Sequence, residues 1–202
     1  MTHDENENYF KKPVIAIGGS AGSLTEAMKI ARHLPHDLDA AVFFACHRPY
    51  DKESNLKQIL ANVSDLSIDL VHDGDQVSLA TIHISDPGHS LGMDSDGKMS
   101  SLYDYSFASR NRNIDEMFIS LSKAADGNTI GVMLSGNLSD GSYGLEKIKS
   151  MGGKVLVQDP ETAQYPSMPK AAIERVPDVD LIGSIDEITR AIIWYVSHPE
   201  QW

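Results

Sequence analysis

Cysteine is almost missing from this chain of 202 residues: Cys46 stands alone, so no disulfide can form within one molecule. Such cysteine usage is typical of a reducing cytoplasm, where we expect the protein to act. Basic residues are also scarce, since 17 Lys and Arg face 29 Asp and Glu, giving a net charge of −12. Nucleic acid and anionic membranes bind clusters of Lys and Arg, so we expect neither as a partner. No apolar run approaches the roughly 18 residues of a membrane span, and the acidic N-terminus has no secretory signal.

The glycine patterns of nucleotide sites are missing as well. Gly18, Gly19 and Gly22 do not have the G-x-G-x-x-G spacing of dinucleotide-binding folds, and no G-x-x-x-x-G-K-[ST] occurs. The stretch Asp94-Ser-Asp96-Gly97 starts like a calcium loop but lacks the remaining ligands, so we interpret it as a hairpin turn. We therefore expect neither a cofactor nor a metal.

What the chain does have is an alternation of apolar strands with amphipathic helices. The apolar run 13–18 is typical of a strand covered on both faces, and a helical stripe follows it. Further strands are predicted at 40–46, 68–71, 81–85, 129–135, 154–158 and 179–182. The alternation predicts an α/β fold with a doubly wound, mostly parallel sheet, helices on both faces and a β-hairpin inserted over 88–101. We expect one domain over 12–202 after a disordered acidic tail over 1–11.

A candidate nucleophile lies in the turn after the first strand. Gly18-Gly-Ser20-Ala-Gly22 fits G-x-S-x-G, in which a serine is held on a sharp turn between a strand and a helix. The alternative is that Ser20 only caps the helix. Ser23 and Glu26 have the spacing of a capping box, which would leave Ser20 free for chemistry.

A base and a carboxylate are predicted at the same edge of the sheet. His47 ends the strand 40–46, and Asp140 follows the strand 129–135. Parallel sheets bind ligands at the carboxyl ends of their strands, so Ser20, His47 and Asp140 form a candidate nucleophile, base and orienting carboxylate. An isolated aspartate before a helix is by default an N-cap, but three such groups at one edge favour chemistry. His89, in the hairpin, is the rival histidine, and we assign it to the rim of the substrate site.

Cys46 is a weaker candidate nucleophile. Adjacent residues of a strand point to opposite faces, so Cys46 and His47 are not expected to pair.

Several blocks of sequence, in a fixed order, carry a resemblance to one known family. They are Ile17-Gly-Gly-Ser-Ala-Gly22, His47-Arg-Pro49, Ile114-Asp-Glu-Met-Phe118, Leu134-Ser-Gly136 with Asp140-Gly141, and Val157-Gln-Asp-Pro-Glu-Thr-Ala163 with Met168-Pro-Lys-Ala-Ala-Ile173. Over nearly all of 13–194 the chain resembles the catalytic domain of the CheB-type protein-glutamate methylesterases.

The resemblance implies hydrolysis of glutamyl methyl esters on the cytoplasmic helices of bacterial chemoreceptors, with deamidation of receptor glutamines as a second activity. It implies that Ser20, His47 and Asp140 are the catalytic triad. The backbone N–H groups of Ala21 and Asn137 would then support the oxyanion, and Met168 would lie with His89 at the substrate rim.

The chain departs from the family pattern at Ser23, at Asn137 and over 111–113. Full-length members also carry an N-terminal receiver domain, whereas a short tail precedes Pro13 here. We therefore expect a stand-alone enzyme without gating by its own phosphorylation. The alternative is a member that has lost turnover and serves as a binding module in a sensory complex, and the intact Ser20, His47 and Asp140 argue against it.

Overall fold

The computed structural model describes residues 10–48, 54–101 and 112–201. Within these ranges the strands are β1 Val14–Gly19, β2 Ala41–Cys46, β3 Ser67–Leu70, β4 Thr81–Ile84, β5 Gly92–Met93, β6 Met99–Ser100, β7 Thr129–Met133, β8 Lys154–Gln158 and β9 Leu181–Gly183. The helices are α1 Ser23–His33, α2 Leu56–Ala61, α3 Asn113–Ala124, α4 Ser142–Ser150, α5 Ser167–Arg175 and α6 Ile185–Ser197, followed by a 3-10 turn at Pro199–Gln201.

Seven strands form one sheet in the order β3-β4-β2-β1-β7-β8-β9, and every neighbouring pair is parallel. The predicted α/β fold with a doubly wound parallel sheet is confirmed. From β1 the chain moves through α1 to β2 on one side, and from β7 it moves through α4 to β8 on the other. The order therefore reverses between β1 and β7, and such a switch point opens a crevice at the carboxyl edge.

Both faces of the sheet are covered, which explains the unbroken apolar runs in its strands. Ile15 and Ile17 of β1 belong to the core under α1, α2 and α6. Val14 and Ala16 point the other way, into the core under α3, α4 and α5. Strand residues alternate between faces, so a strand buried on both sides must be apolar at every position.

The inserted hairpin is confirmed as the antiparallel pair β5–β6. Gly97, with a φ of 75°, forms its turn, and the Asp94 carboxylate accepts hydrogen bonds from the N–H groups of Asp96 and Lys98. These carboxylate contacts fit the interpretation of this stretch as a turn.

The start of the domain needs a correction. Residues 1–9 of the predicted tail lie outside the described residues, as do Asn111 and Trp202. Phe10, however, packs against the core, and its N–H donates to the carbonyl of Ala124 at 3.0 Å. The ordered domain therefore includes Phe10 and Lys11, which the prediction had placed in the tail.

None of the helices in the described part of the chain has the length and apolar character that a membrane crossing needs.

The turn that leads into β7 generates a stability prediction. A Cβ on Gly127, where φ is 80°, would lie 2.0 Å from the carbonyl oxygen of Met151, whereas Gly152, with a φ of 92°, has nothing within 4 Å of its Cβ position. Gly152→Ala should therefore lower the free energy of unfolding by only about 1–2 kcal/mol, the cost of a left-handed backbone at a non-glycine residue. Gly127→Ala should lower the free energy of unfolding by roughly 1–3 kcal/mol more, because backbone must also move. Urea denaturation of both variants measures the difference, and equal losses would contradict the steric argument.

Candidate active site

Three strand ends bring the predicted residues to one edge of the sheet. Ser20 follows β1, His47 follows β2, and Asp140 lies in the loop between β7 and α4. The register pairs Gly18 with both Ala45 and Met133, so the ends of the three strands are level. This edge is the switch point between β1 and β7.

The turn at Ser20 is fixed through its backbone. The N–H of Ser20 donates to the carbonyl of Ser135 at 2.9 Å, and the carbonyl of Ser20 accepts from both the N–H and the hydroxyl of Ser23. The predicted capping box of Ser23 with Glu26 is wrong, because Gly22 adopts the left-handed conformation as N-cap and Ser23 is already inside α1. The Glu26 carboxylate instead pairs with Lys29 at 3.0 Å. Ser20 lies two residues before the N-cap, so it does not cap α1.

Gly136 lets a second loop approach Ser20 closely. A Cβ on Gly136 would lie 2.9 Å from the Cβ of Ser20 and 2.0 Å from the sulfur of Met168. Any larger residue at this position would therefore displace the serine or the methionine. The Gly136 N–H is also tied down, since it donates to the carbonyl of Tyr165 at 2.9 Å.

His47 and Asp140 form the central contact of the site. The Nε2 atom of His47 lies 2.7 Å from Oδ2 of Asp140, and their side chains are 25% and 3% exposed. An ionised carboxylate only accepts hydrogen bonds, so the proton of a neutral His47 sits on Nε2 and its Nδ1 is the acceptor. This is the arrangement that a histidine base requires.

Asp140 also caps a helix, although not the one that follows it. Its Oδ2 accepts from the N–H of Ile114 and its Oδ1 from the N–H of Asp115, both at 3.1 Å. These groups are free donors at the start of α3, where the helix dipole favours negative charge. The default interpretation of Asp140 as N-cap of α4 is wrong, because Gly141 holds that position.

Asp115 makes a reciprocal contact with α4, and the sequence patterns gave it no role. Its Oδ1 accepts from the N–H of Gly144 at 2.7 Å. Burial raises the pKa of the Asp115 carboxyl, and the nearby Asp140 adds to the rise, while the Gly144 N–H opposes it. The sequence signal was an acidic residue in the first turn of a helix, which an interaction with the helix dipole explains just as well.

A cleft of about 400 Å³ opens beside these groups. Its walls are formed by Ser20, Ser23, Leu24, Cys46, His47, Arg48, Ser54, Asn55, Leu56, Ile59 and Pro87. Within the described residues, no hydrogen bond joins the hydroxyl of Ser20 to His47. Among the same residues, no acceptor is found for the N–H groups of Ala21 and Asn137, so both remain candidates for supporting an oxyanion.

The two residues assigned to the rim differ in outcome. Met168 has no exposed surface and belongs to the core beneath Gly136, so its rim assignment is corrected. The loop of His89 contributes Pro87 to the cleft, and the rim position of His89 itself stays a prediction. The hairpin strands β5 and β6 do not line the cleft. They pack against the second half of α3, where the N–H of Met93 donates to the hydroxyl of Ser120.

Cys46 and Arg48 flank His47 in sequence and share the cleft with it. Burial raises the pKa of the Cys46 thiol, which disfavours the thiolate that a cysteine nucleophile needs. The guanidinium of Arg48 donates to the hydroxyl of Ser54 and to the carbonyl of Ser85. Arg48 thereby ties the segment before α2 to the end of β4, a contact that no sequence pattern had indicated.

The capping role of Asp140 gives a prediction for stability. Asp140→Ala leaves the N–H groups of Ile114 and Asp115 without their acceptor, so the free energy of unfolding should fall by about 1–3 kcal/mol. Asp140→Asn keeps an acceptor oxygen and should cost less. Thermal and urea unfolding of the two variants would measure this order, and an Asn variant as unstable as the Ala variant would contradict it.

Comparison with known proteins places the chain in a family. A family model described as CheB methylesterase matches residues 15–192. A Leptospira interrogans protein, whose name carries protein-glutamate methylesterase and protein-glutamine glutaminase, is 29% identical over 179 residues, 89% of this chain and 92% of that protein. Protein-glutamate methylesterase/protein-glutamine glutaminase 3 of Geobacter sulfurreducens is 32% identical over 183 residues, 89% of this chain and 49% of that protein.

The fold has a solved counterpart. The crystal structure of the Thermotoga maritima CheB methylesterase catalytic domain superposes with a TM-score of 0.83 at 26% identity, covering 92% of this chain and 99% of that one. Since the family model covers most of the chain and the fold agrees, this chain belongs to the CheB methylesterase family.

Proposed function

We propose that this protein is a serine hydrolase that removes methyl esters from glutamate side chains of bacterial chemoreceptors. In this proposal Ser20 is the nucleophile, His47 the general base and Asp140 the orienting carboxylate. The observation that carries it is the 2.7 Å hydrogen bond between His47 Nε2 and Asp140 Oδ2, at the sheet edge that also carries Ser20.

The first half of the reaction forms an acyl-enzyme. The hydroxyl oxygen of Ser20 attacks the ester carbonyl carbon while Nδ1 of His47 takes the hydroxyl proton. Asp140 stabilises the imidazolium through Nε2. The oxyanion of the tetrahedral intermediate accepts hydrogen bonds from the N–H groups of Ala21 and Asn137. These donors lower the barrier because they stabilise the negative charge that develops in the transition state.

The second half returns the enzyme to its starting state. The intermediate collapses, the carbon–oxygen bond to the methoxy group breaks, and His47 gives its proton to the departing methanol. Water then attacks the acyl-serine with His47 again as base, which releases a glutamate side chain and regenerates Ser20. An amide substrate would follow the same steps and release ammonia, which is the deamidation of glutamine.

Family membership and the shape of the site support this substrate class. The relatives from Leptospira and Geobacter are named for activity on glutamate and glutamine side chains of proteins. An open cleft at a sheet edge suits a side chain presented by another protein. We therefore propose the cytoplasmic helices of chemoreceptors as partners and the cytoplasm as the place of action.

The triad assignment predicts a large loss from single substitutions. Because triad members act as a unit, Ser20→Ala and His47→Ala should each lower methanol release from a methylated receptor fragment by a factor on the order of 10^4 to 10^6. Asp140→Asn should cost somewhat less, because the carboxylate orients the imidazole rather than attacking. Ser150→Ala is a matched control, since this exposed hydroxyl bonds to the carbonyl of Lys147 at the far end of α4.

Labelling separates the two functional candidates. A fluorophosphonate should modify Ser20 in the wild-type protein and leave the Ser20→Ala variant unlabelled. If Ser20→Ala kept most of the turnover, the triad would be wrong. Absence of both turnover and labelling in the wild-type protein would favour the binding module.

A further inference from the structure

Two helices exchange capping carboxylates beside His47. Asp140, just before α4, accepts from two N–H groups at the start of α3. Asp115, in the first turn of α3, accepts from the N–H of Gly144 in the first turn of α4. The two side chains therefore hold the two helix starts against each other.

We propose that Asp115 is a positioning residue that holds Asp140 in place for His47, an inference that rests on the proposed function. The loop that carries Asp140 has little other support on its outer side, because Asn137, Leu138 and Ser139 are all exposed. By fixing Gly144, Asp115 fixes the start of α4 and with it the backbone of Asp140. A small misplacement of an orienting group is enough to cost a large part of the rate.

Asp115→Ala and Asp115→Asn test the contact with Gly144. The Ala variant loses the acceptor, and kcat for methanol release should fall roughly 10- to 100-fold with KM little changed. The Asn variant keeps an acceptor oxygen for Gly144, so kcat should recover to within about threefold. A loss that is confined to kcat and restored by the Asn variant is not expected of a residue that only stabilises the fold.

Asp180→Asn is the matched control. The Asp180 carboxylate is also largely buried, accepting from the N–H of Val155 and from Lys149, but it lies at the amino end of β8, away from the site. This variant should lose stability and keep the wild-type kcat and KM. If Asp115→Asn lost as much kcat as Asp115→Ala, or if the loss in Asp115→Ala fell on KM rather than on kcat, the positioning role would be refuted. A wild-type protein without turnover would instead refute the proposed function, and this inference with it.

Discussion

The carboxylate of Asp140 lies where β2, β7 and α3 meet, and its side chain is almost fully buried. A buried charge is costly unless hydrogen bonds replace the water that it loses. Asp140 obtains three of them, from His47 and from the N–H groups of Ile114 and Asp115. The positions of the strand ends and of the start of α3 are therefore coupled through a single side chain, and the geometry of the candidate site depends on that coupling.

This coupling gives Asp140 two roles with different structural requirements. As a helix cap it has to be held rigidly, and as a partner of His47 it has to stay accessible to the imidazole at the edge of the cleft. The fold meets both demands by placing Asp140 under the start of a neighbouring helix and leaving α4 to begin at Gly141, whose φ is 87°. The bare backbone of Gly136 likewise packs closely against Ser20, because a side chain at position 136 would collide with the serine.

The sheet and the edge that carries the site could be predicted from the sequence because strands buried on both faces must be apolar throughout. β8, Lys154–Gln158, was predicted to the residue. Ser20, His47 and Asp140 were predicted to share one edge because each follows the carboxyl end of a strand in a parallel sheet. Contacts between distant elements could not be predicted. The N–H of Ile114 that Asp140 caps lies 26 residues earlier in the chain, and Met168 is buried because α5 packs under Gly136. Neither fact leaves a periodic trace in the sequence.

The arrangement also explains how an acidic chain can hold Asp115 close to Asp140, the carboxylate that contacts the histidine. Asp140 and Asp115 repel each other. Asp140, however, accepts a hydrogen bond at the start of α3, and Asp115 accepts one at the start of α4. Unpaired N–H groups and the helix dipole favour negative charge at both places. Each helix start thus offsets part of the cost of desolvating one carboxylate. The contact between the starts of α3 and α4 therefore helps to hold Asp140 at the strand ends, where β2 presents His47 to it.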